Sequence, residues 1–155
     1  MIRFTLNGED TVYEGSASDR LLDVLRNKYR LCGVKCGCGE GECGACCVIL
    51  DGRLANSCLA AMGRVEGLDV VTIEGYRTTE RFKVLDRAFA SVAAVQCGYC
   101  TPGIVLASEC LLAVNPHPTR EEIRLGISGN LCRCTGYNAI VRAIEIAAWE
   151  GDGLW

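Results

Sequence analysis

The sequence predicts an α+β fold in which a β-rich N-terminal half is followed by a helical C-terminal half. Short apolar or alternating runs between turn residues continue to residue 73, and beyond residue 76 apolar residues recur only at helical spacing. We therefore expect one domain over residues 1–75 and a second over residues 76–155, with Gly75–Glu80 as the linker. A chain of 155 residues that is 50% hydrophobic can bury one fair-sized core or two small ones.

The N-terminal half is expected to form a small sheet packed on one helix. The predicted strands are Ile2–Leu6, Thr11–Glu14, Cys47–Leu50, Arg53–Ser57 and Asp69–Ile73. Asn7-Gly8 and Asp51-Gly52 are turn signals, so they predict hairpins between the first and second and between the third and fourth strands. The helix is expected over about Asp19–Tyr29, where leucines recur at helical spacing.

The C-terminal half is expected to form a small bundle of four helices. Apolar residues at helical spacing predict helices around Val84–Phe89, over Thr101–Val114 and over Tyr137–Trp149. The remaining helix is predicted toward Ser128, since Thr119-x-x-Glu122 has the pattern of a capping box.

The most informative stretch is the glycine-rich loop that ends at Cys47. Cys38, Cys43 and Cys46 have the spacing C-x4-C-x2-C, and Cys58 follows after eleven more residues, which is the ligand pattern of a plant-type [2Fe–2S] ferredoxin. Glycines allow such a loop to bend three sulfurs around a cluster. Zinc sites commonly use two C-x2-C pairs, whereas this stretch offers one. The pattern therefore favours an iron–sulfur cluster in a ferredoxin (β-grasp) domain.

A second group of cysteines lies in the helical half, at C-x2-C and C-x-C spacing. Its members are Cys97, Cys100, Cys132 and Cys134. Each pair precedes a predicted helix, for which Thr101 and Thr135 are the expected caps. An oxidised [2Fe–2S] cluster with four thiolates carries a charge of about −2, which the positive ends of helices would stabilise. From spacing alone, an iron–sulfur cluster and a four-thiolate zinc site both remain open.

Composition excludes several other classes of protein. A net charge of −3 and a pI near 5.2 give no electrostatic footprint for nucleic acid, and no apolar run is long enough to span a bilayer. The N-terminus resembles a strand and a turn rather than a signal peptide, so we expect a cytoplasmic protein with reduced thiols. The single histidine, His117, excludes a Rieske centre and makes substrate chemistry on this chain alone unexpected.

Three stretches together resemble a known family. Val34–Cys46, Gln96–Gly103 and Gly129–Tyr137 are similar to the signatures of the small iron–sulfur subunit of molybdenum hydroxylases, which include xanthine dehydrogenase, aldehyde oxidoreductase and carbon monoxide dehydrogenase. The resemblance extends over essentially the whole chain in order and spacing. It therefore favours a second [2Fe–2S] cluster over zinc.

The resemblance implies an electron-transfer subunit of a multi-subunit oxidoreductase. Such a subunit relays electrons from a molybdopterin (Mo) site in a large subunit toward FAD on a medium subunit, or toward another acceptor. The reaction of the whole enzyme would be hydroxylation of a purine, an N-heterocycle, an aldehyde or a similar substrate. The expected assembly is a dimer of heterotrimers, with neither nucleic acid nor membrane as a partner.

The resemblance also implies roles for individual residues. The ligands of the cluster that faces the flavin would be Cys38, Cys43, Cys46 and Cys58. The ligands of the cluster nearer molybdenum would be Cys97, Cys100, Cys132 and Cys134. Gln96 and Cys134 match positions that contact the pterin. Cys36 and Cys47 depart from the family pattern, and with Cys32 and Cys110 they are expected to be non-ligands.

Overall fold

The computed structural model describes residues 1–155 and confirms the α+β fold. The strands are β1 (Ile2–Leu6), β2 (Glu9–Tyr13), β3 (Cys47–Leu50), β4 (Arg53–Asn56) and β5 (Asp69–Val71). The helices are α1 (Leu21–Asp23), α2 (Ile73–Tyr76), α3 (Glu80–Ser91), α4 (Thr101–Val114), α5 (Arg120–Gly126) and α6 (Asn138–Glu150). None of these helices combines the length and the apolar character that crossing a membrane requires.

The five strands form one mixed sheet in the order β2-β1-β5-β3-β4. The β1–β5 pair is parallel, with Leu6 opposite Val70, and the other pairs are antiparallel. Asn7 and Gly8 both have positive φ, at 53° and 86°, as the predicted two-residue hairpin turn requires. The last strand ends at Val71, two residues earlier than predicted, because α2 begins at Ile73.

The first helix differs from the prediction in its geometry. After Asp23 the chain continues as a π-helical segment over Val24–Lys28, closed by a hydrogen bond from the Tyr29 N–H to the Val24 carbonyl. The leucines that predicted the helix, Leu21 and Leu22, are fully buried. Apolar spacing shows which face is buried, but it does not distinguish a single π-helical turn from an α-helical one.

The sheet lies between two hydrophobic cores. One face packs on α1, where Phe4, Leu22 and Val48 are buried together. The next residue of β3, Ile49, points to the opposite face and joins the core of the helical half. Because α4 packs on β3 and β4, the helical half lies directly on the sheet.

The connection between the halves is part of the helical core. Tyr76, at the end of α2, is 4% exposed, and its hydroxyl donates a 2.5 Å hydrogen bond to the Glu109 carboxylate on α4. At α5, the predicted capping box is confirmed. The Thr119 side chain accepts a hydrogen bond from the Glu122 N–H, and the Glu122 carboxylate accepts one from the Thr119 N–H.

Candidate metal centres

The loop between α1 and β3 surrounds the sulfur of Cys38 with backbone donors. The N–H groups of Glu40 and Glu42 each point to Cys38 Sγ at 3.3 Å, and the Cys38 N–H points to Cys43 Sγ at 3.3 Å. Gly39 has a φ of +74°, which turns the chain so that these amides face inward. The backbone hydrogen bonds, first that of Glu40, lower the pKa of the Cys38 thiol to about 7. The loop is therefore built to stabilise a thiolate.

The other two thiols of the first group belong to Cys46, just before β3, and to Cys58, in the segment after β4. Cys46 and Cys58 are 2% and 5% exposed. Ser57 binds the Cys46 carbonyl through its hydroxyl at 2.7 Å and its N–H at 3.3 Å, which joins the two segments. Burial, and then a hydrogen bond with the Cys46 thiol, raise the pKa of Cys58 to about 11. The first group therefore consists of two sulfur pairs, Cys38 with Cys43 and Cys46 with Cys58.

The second group also forms two sulfur pairs. The Sγ atoms of Cys97 and Cys134 lie 3.6 Å apart, and both residues are exposed. The thiols of Cys100 and Cys132 interact, since each shifts the pKa of the other. Burial raises the pKa of Cys100 to about 12. Burial also acts upward on Cys132, but hydrogen bonds, chiefly from Thr135, outweigh it and bring the pKa to about 7.

The pairing of the sulfurs fits a binuclear cluster. No group of three or more cysteine, histidine or acidic side chains is arranged to hold a single metal ion. Tetrahedral metal–sulfur bonds of about 2.3 Å place two sulfurs about 3.8 Å apart. The 3.6 Å separation of the Cys97 and Cys134 sulfurs is close to that value. Two thiolates for each of two irons is the arrangement that a [2Fe–2S] cluster requires.

The caps predicted for the second group are wrong. Thr101 is the first residue of α4, and Cys100 occupies its N-cap. Thr135 precedes a turn in which Gly136 and Tyr137 both have positive φ, so it is too far from α6 to cap it. The Thr135 hydroxyl instead lies 3.1 Å from Cys132 Sγ. Only α4 therefore begins directly at a ligand candidate.

The segments that carry the two cysteine groups are in direct contact, which nothing in the sequence indicated. The Leu131 N–H donates to the Cys43 carbonyl at 2.9 Å, and the Tyr99 hydroxyl donates to the Cys36 carbonyl at 2.7 Å. Leu131 precedes Cys132 in the chain, and Tyr99 precedes Cys100. Each contact therefore joins a residue beside one cysteine group to the loop of the other.

Glycines allow this contact to be close. A Cβ on Gly103, in the first turn of α4, would lie 2.3 Å from the Gly44 carbonyl oxygen. The same carbonyl accepts a 3.1 Å hydrogen bond from the side-chain amide of Asn130, which is 3% exposed. Gly44 lies in the first cysteine motif and Gly103 in the second, and these glycines were the only hint in the sequence of a close approach. Without the fold, however, nothing indicated that these glycines meet each other.

The remaining predicted residues lie around these groups. Gln96 is exposed, as is Cys134, so both are accessible from outside the chain. Cys32 and Cys36 are exposed as well. Cys47 is buried, and its sulfur contacts Asn56 Oδ1 at 3.3 Å and Asn130 Nδ2 at 3.6 Å.

Comparison with known proteins identifies the family. A 2Fe-2S iron–sulfur cluster binding domain matches residues 4–67, and a [2Fe-2S] binding domain matches residues 72–145. The nicotinate dehydrogenase small FeS subunit of Eubacterium barkeri is 45% identical over 94% of this chain and 93% of its own length. The chain belongs to the small iron–sulfur subunits of molybdenum hydroxylases. The xanthine dehydrogenase iron-sulfur-binding subunit of Escherichia coli O157:H7 is 41% identical over 92% of this chain and 91% of its own.

Solved structures agree with this membership. Quinoline 2-oxidoreductase from Pseudomonas putida 86 contains a chain with a TM-score of 0.90 and 40% identity, which covers 97% of this chain and 93% of that one. The aldehyde oxidoreductase from Desulfovibrio desulfuricans ATCC 27774 matches with a TM-score of 0.92 and 40% identity, over 98% of this chain but 17% of that one. The same unit therefore also occurs within a much longer chain.

Membership in the family confirms the predicted cofactors and function class. The chain is an electron-transfer subunit of an oxidoreductase and carries two [2Fe–2S] clusters, one for each matched domain. The prediction of a second cluster in the helical half, rather than zinc, is confirmed. Molybdopterin and FAD are implied on partner subunits by the same membership.

Proposed function

We propose that each group of four cysteines holds one cluster. The ligands of the first cluster are Cys38, Cys43, Cys46 and Cys58. The ligands of the second are Cys97, Cys100, Cys132 and Cys134. The assignment is supported by the two sulfur pairs in each group and by the contacts that keep Cys47 on Asn56 and Asn130. We also propose a domain boundary between residues 75 and 76, a few residues after the second matched domain begins at residue 72.

We propose that electrons pass from the second cluster to the first. When bound, the clusters supply one-electron carriers, and the residues of this chain fix how the two carriers are connected. The observation that carries the proposal is the Leu131–Cys43 hydrogen bond, because it joins a residue next to one ligand set to a member of the other. A single free carrier would need only one exposed cluster, so the second group and its contact would have no purpose there.

We propose that the working form is a cytoplasmic complex with a large molybdopterin-binding subunit and a medium FAD-binding subunit, arranged as a dimer of heterotrimers. Relatives described as small subunits of nicotinate dehydrogenase and nicotine 6-hydroxylase support a multi-subunit enzyme. We further propose that its reaction is hydroxylation of a purine, an N-heterocycle, an aldehyde or a similar substrate. Gln96 and Cys134, which are exposed beside the second group, are the proposed pterin contacts.

The experiment that tests the proposal is purification of the native complex through a tag on this chain. We expect co-purification of two larger subunits, with molybdenum and FAD, and about four iron and four sulfide for each copy of this chain. Two distinct electron paramagnetic resonance signals should appear on reduction. A chain that elutes alone with one cluster would be a simple carrier, and stoichiometric zinc would contradict the presence of two clusters.

A further inference from the structure

Arg20 presents one edge of its guanidinium group to the loop of the first cysteine group. Its Nε and Nη2 atoms donate to the two oxygens of the Asp23 carboxylate, at 2.7 and 2.9 Å. This bidentate pair leaves Nη1 free of Asp23. A Cβ built on Gly39 would lie 3.6 Å from Nη1, so the free nitrogen faces the residue next to Cys38.

The backbone around Arg20 is attached to the segment that carries the fourth cysteine of the group. The Leu21 N–H donates to the Ala60 carbonyl at 2.8 Å, and the Leu22 N–H donates to the Ser57 carbonyl at 3.1 Å. Arg20 itself forms an isolated β-bridge with Ala61. Because Leu21 and Leu22 are fully buried, the core fixes the backbone at Arg20 against residues 57–61, the segment that contains Cys58.

The guanidinium of Arg20 is a permanent positive charge between the loop of Cys38 and the segment that contains Cys58. Arginine remains protonated in proteins. The hydrogen bond with Asp23 and the charge of Asp23, followed by the charges of Cys36 and Cys58, raise the pKa of Arg20. The acidic side chains of the loop, Glu40 and Glu42, are both exposed to solvent, which screens them.

We propose that Arg20 is a positioning residue that raises the reduction potential of the first cluster. Reduction adds one electron to an anionic cluster and breaks no bond, so a fixed cation nearby stabilises the reduced form more than the oxidised form. Asp23 holds the guanidinium in place from the side away from Gly39. The inference rests on the proposed ligand assignment, since it needs the cluster to lie between Cys38 and Cys58.

The test is a dithionite titration of the full chain loaded with both clusters, in which each cluster is followed by its own electron paramagnetic resonance signal. Dithionite donates the electron. In Arg20→Gln, we expect the ratio of reduced to oxidised first cluster at a fixed potential to fall about three- to tenfold. That change corresponds to a potential lower by about 28–59 mV for a one-electron couple. The second cluster should titrate as in the wild type and is the internal control.

A further variant separates electrostatics from structure. Arg20→Lys keeps the positive charge but loses the guanidinium, so its first-cluster potential should lie closer to the wild-type value than that of Arg20→Gln. A purely structural role of the guanidinium would shift the potential alike in both variants. An equal shift in both variants, or an unchanged first-cluster potential in Arg20→Gln at full iron content, would overturn the inference. The iron content and the first-cluster signal of Cys46→Ala and Cys47→Ala test the ligand assignment separately.

Discussion

The backbone N–H of Leu131 donates a 2.9 Å hydrogen bond to the carbonyl of Cys43, across 88 positions of sequence. Cys43 belongs to the first cysteine group, and Leu131 is bonded to Cys132 of the second. A path from one sulfur to the other therefore runs along two short pieces of backbone and crosses one hydrogen bond. Leu131 is 56% exposed, so its side chain is not what holds this contact.

The first prediction concerns this hydrogen bond. Leu131→Pro removes the donor, since proline has no N–H, and should slow electron transfer between the clusters several-fold. The measurement is rapid-freeze electron paramagnetic resonance of the assembled enzyme after mixing with substrate. Leu131→Ala keeps the N–H and is the matched control. Equal rates in the proline variant and the alanine variant, with both clusters present, would remove this contact from the path.

The second prediction concerns the close approach of Gly103 to Gly44. A methyl group at Gly103 would meet the Gly44 carbonyl oxygen at 2.3 Å, so α4 and the first loop must separate. Overpacking of this kind costs about 1–3 kcal/mol, which for a chain of this size lowers the thermal midpoint by about 2–12 °C. Circular dichroism of the loaded chain measures the midpoint. Gly129→Ala is the control, because a Cβ there meets nothing within 4 Å.

The third prediction concerns the order in which thiols ionise in the metal-free chain. The pKa values of Cys38 and Cys132 are lowered to about 7, whereas those of Cys58 and Cys100 are raised to about 11 and about 12. The thiolate is the reactive form. At pH 8, Cys38 and Cys132 should therefore be about nine-tenths ionised and react rapidly with iodoacetamide, while the other two stay protonated.

The reactivity of these thiols depends on pH through hydrogen bonds that exist only in the folded chain. The reactivity of Cys38 and Cys132 should be lost as the pH falls through about 7, since their hydrogen-bond donors stabilise only the thiolate. Peptide mapping by mass spectrometry identifies the modified residues. In urea the donors are lost, and all four cysteines should react alike. Rapid modification of Cys58 or Cys100 in the folded chain at pH 8 would contradict the environments described for them.

The fourth prediction distinguishes two adjacent cysteines. The Cys47 sulfur contacts Asn56 Oδ1 and Asn130 Nδ2 rather than a second thiol, so Cys47 should not ligate iron. Cys47→Ala should keep the full iron content, whereas Cys46→Ala should lose the first cluster, about half of the iron. Iron analysis and electron paramagnetic resonance measure both variants. Loss of the first-cluster signal from Cys47→Ala would shift the ligand register by one residue.

The sequence predicted what depends on local patterns. Cysteine spacing located both groups, and Thr119 with Glu122 marked a real capping box. It could not predict what depends on packing between distant segments. Ile49 looked like any residue of a buried strand, yet it faces the helical core. Thr135 had the right type for a cap, but the positive φ of Tyr137, which no local rule requires of a tyrosine, moved the start of α6 beyond its reach.

The last prediction concerns Gln96, which is exposed and precedes Cys97. An amide offers both donors and an acceptor, so it can pair with the polar edge of a pterin on the partner subunit without ligating metal. Gln96→Leu should keep both clusters and the complex, yet slow their reduction by substrate. One neutral hydrogen bond contributes about 0.5–1.5 kcal/mol net, so the rate should fall several-fold rather than vanish.

Rapid-reaction absorbance of the assembled enzyme measures the rate at which substrate reduces the clusters. Asn27→Leu, which replaces an exposed amide in the π-helical segment after α1, is the control. If the Gln96 variant reduces its clusters as fast as the control, Gln96 takes no part in the transfer from molybdenum.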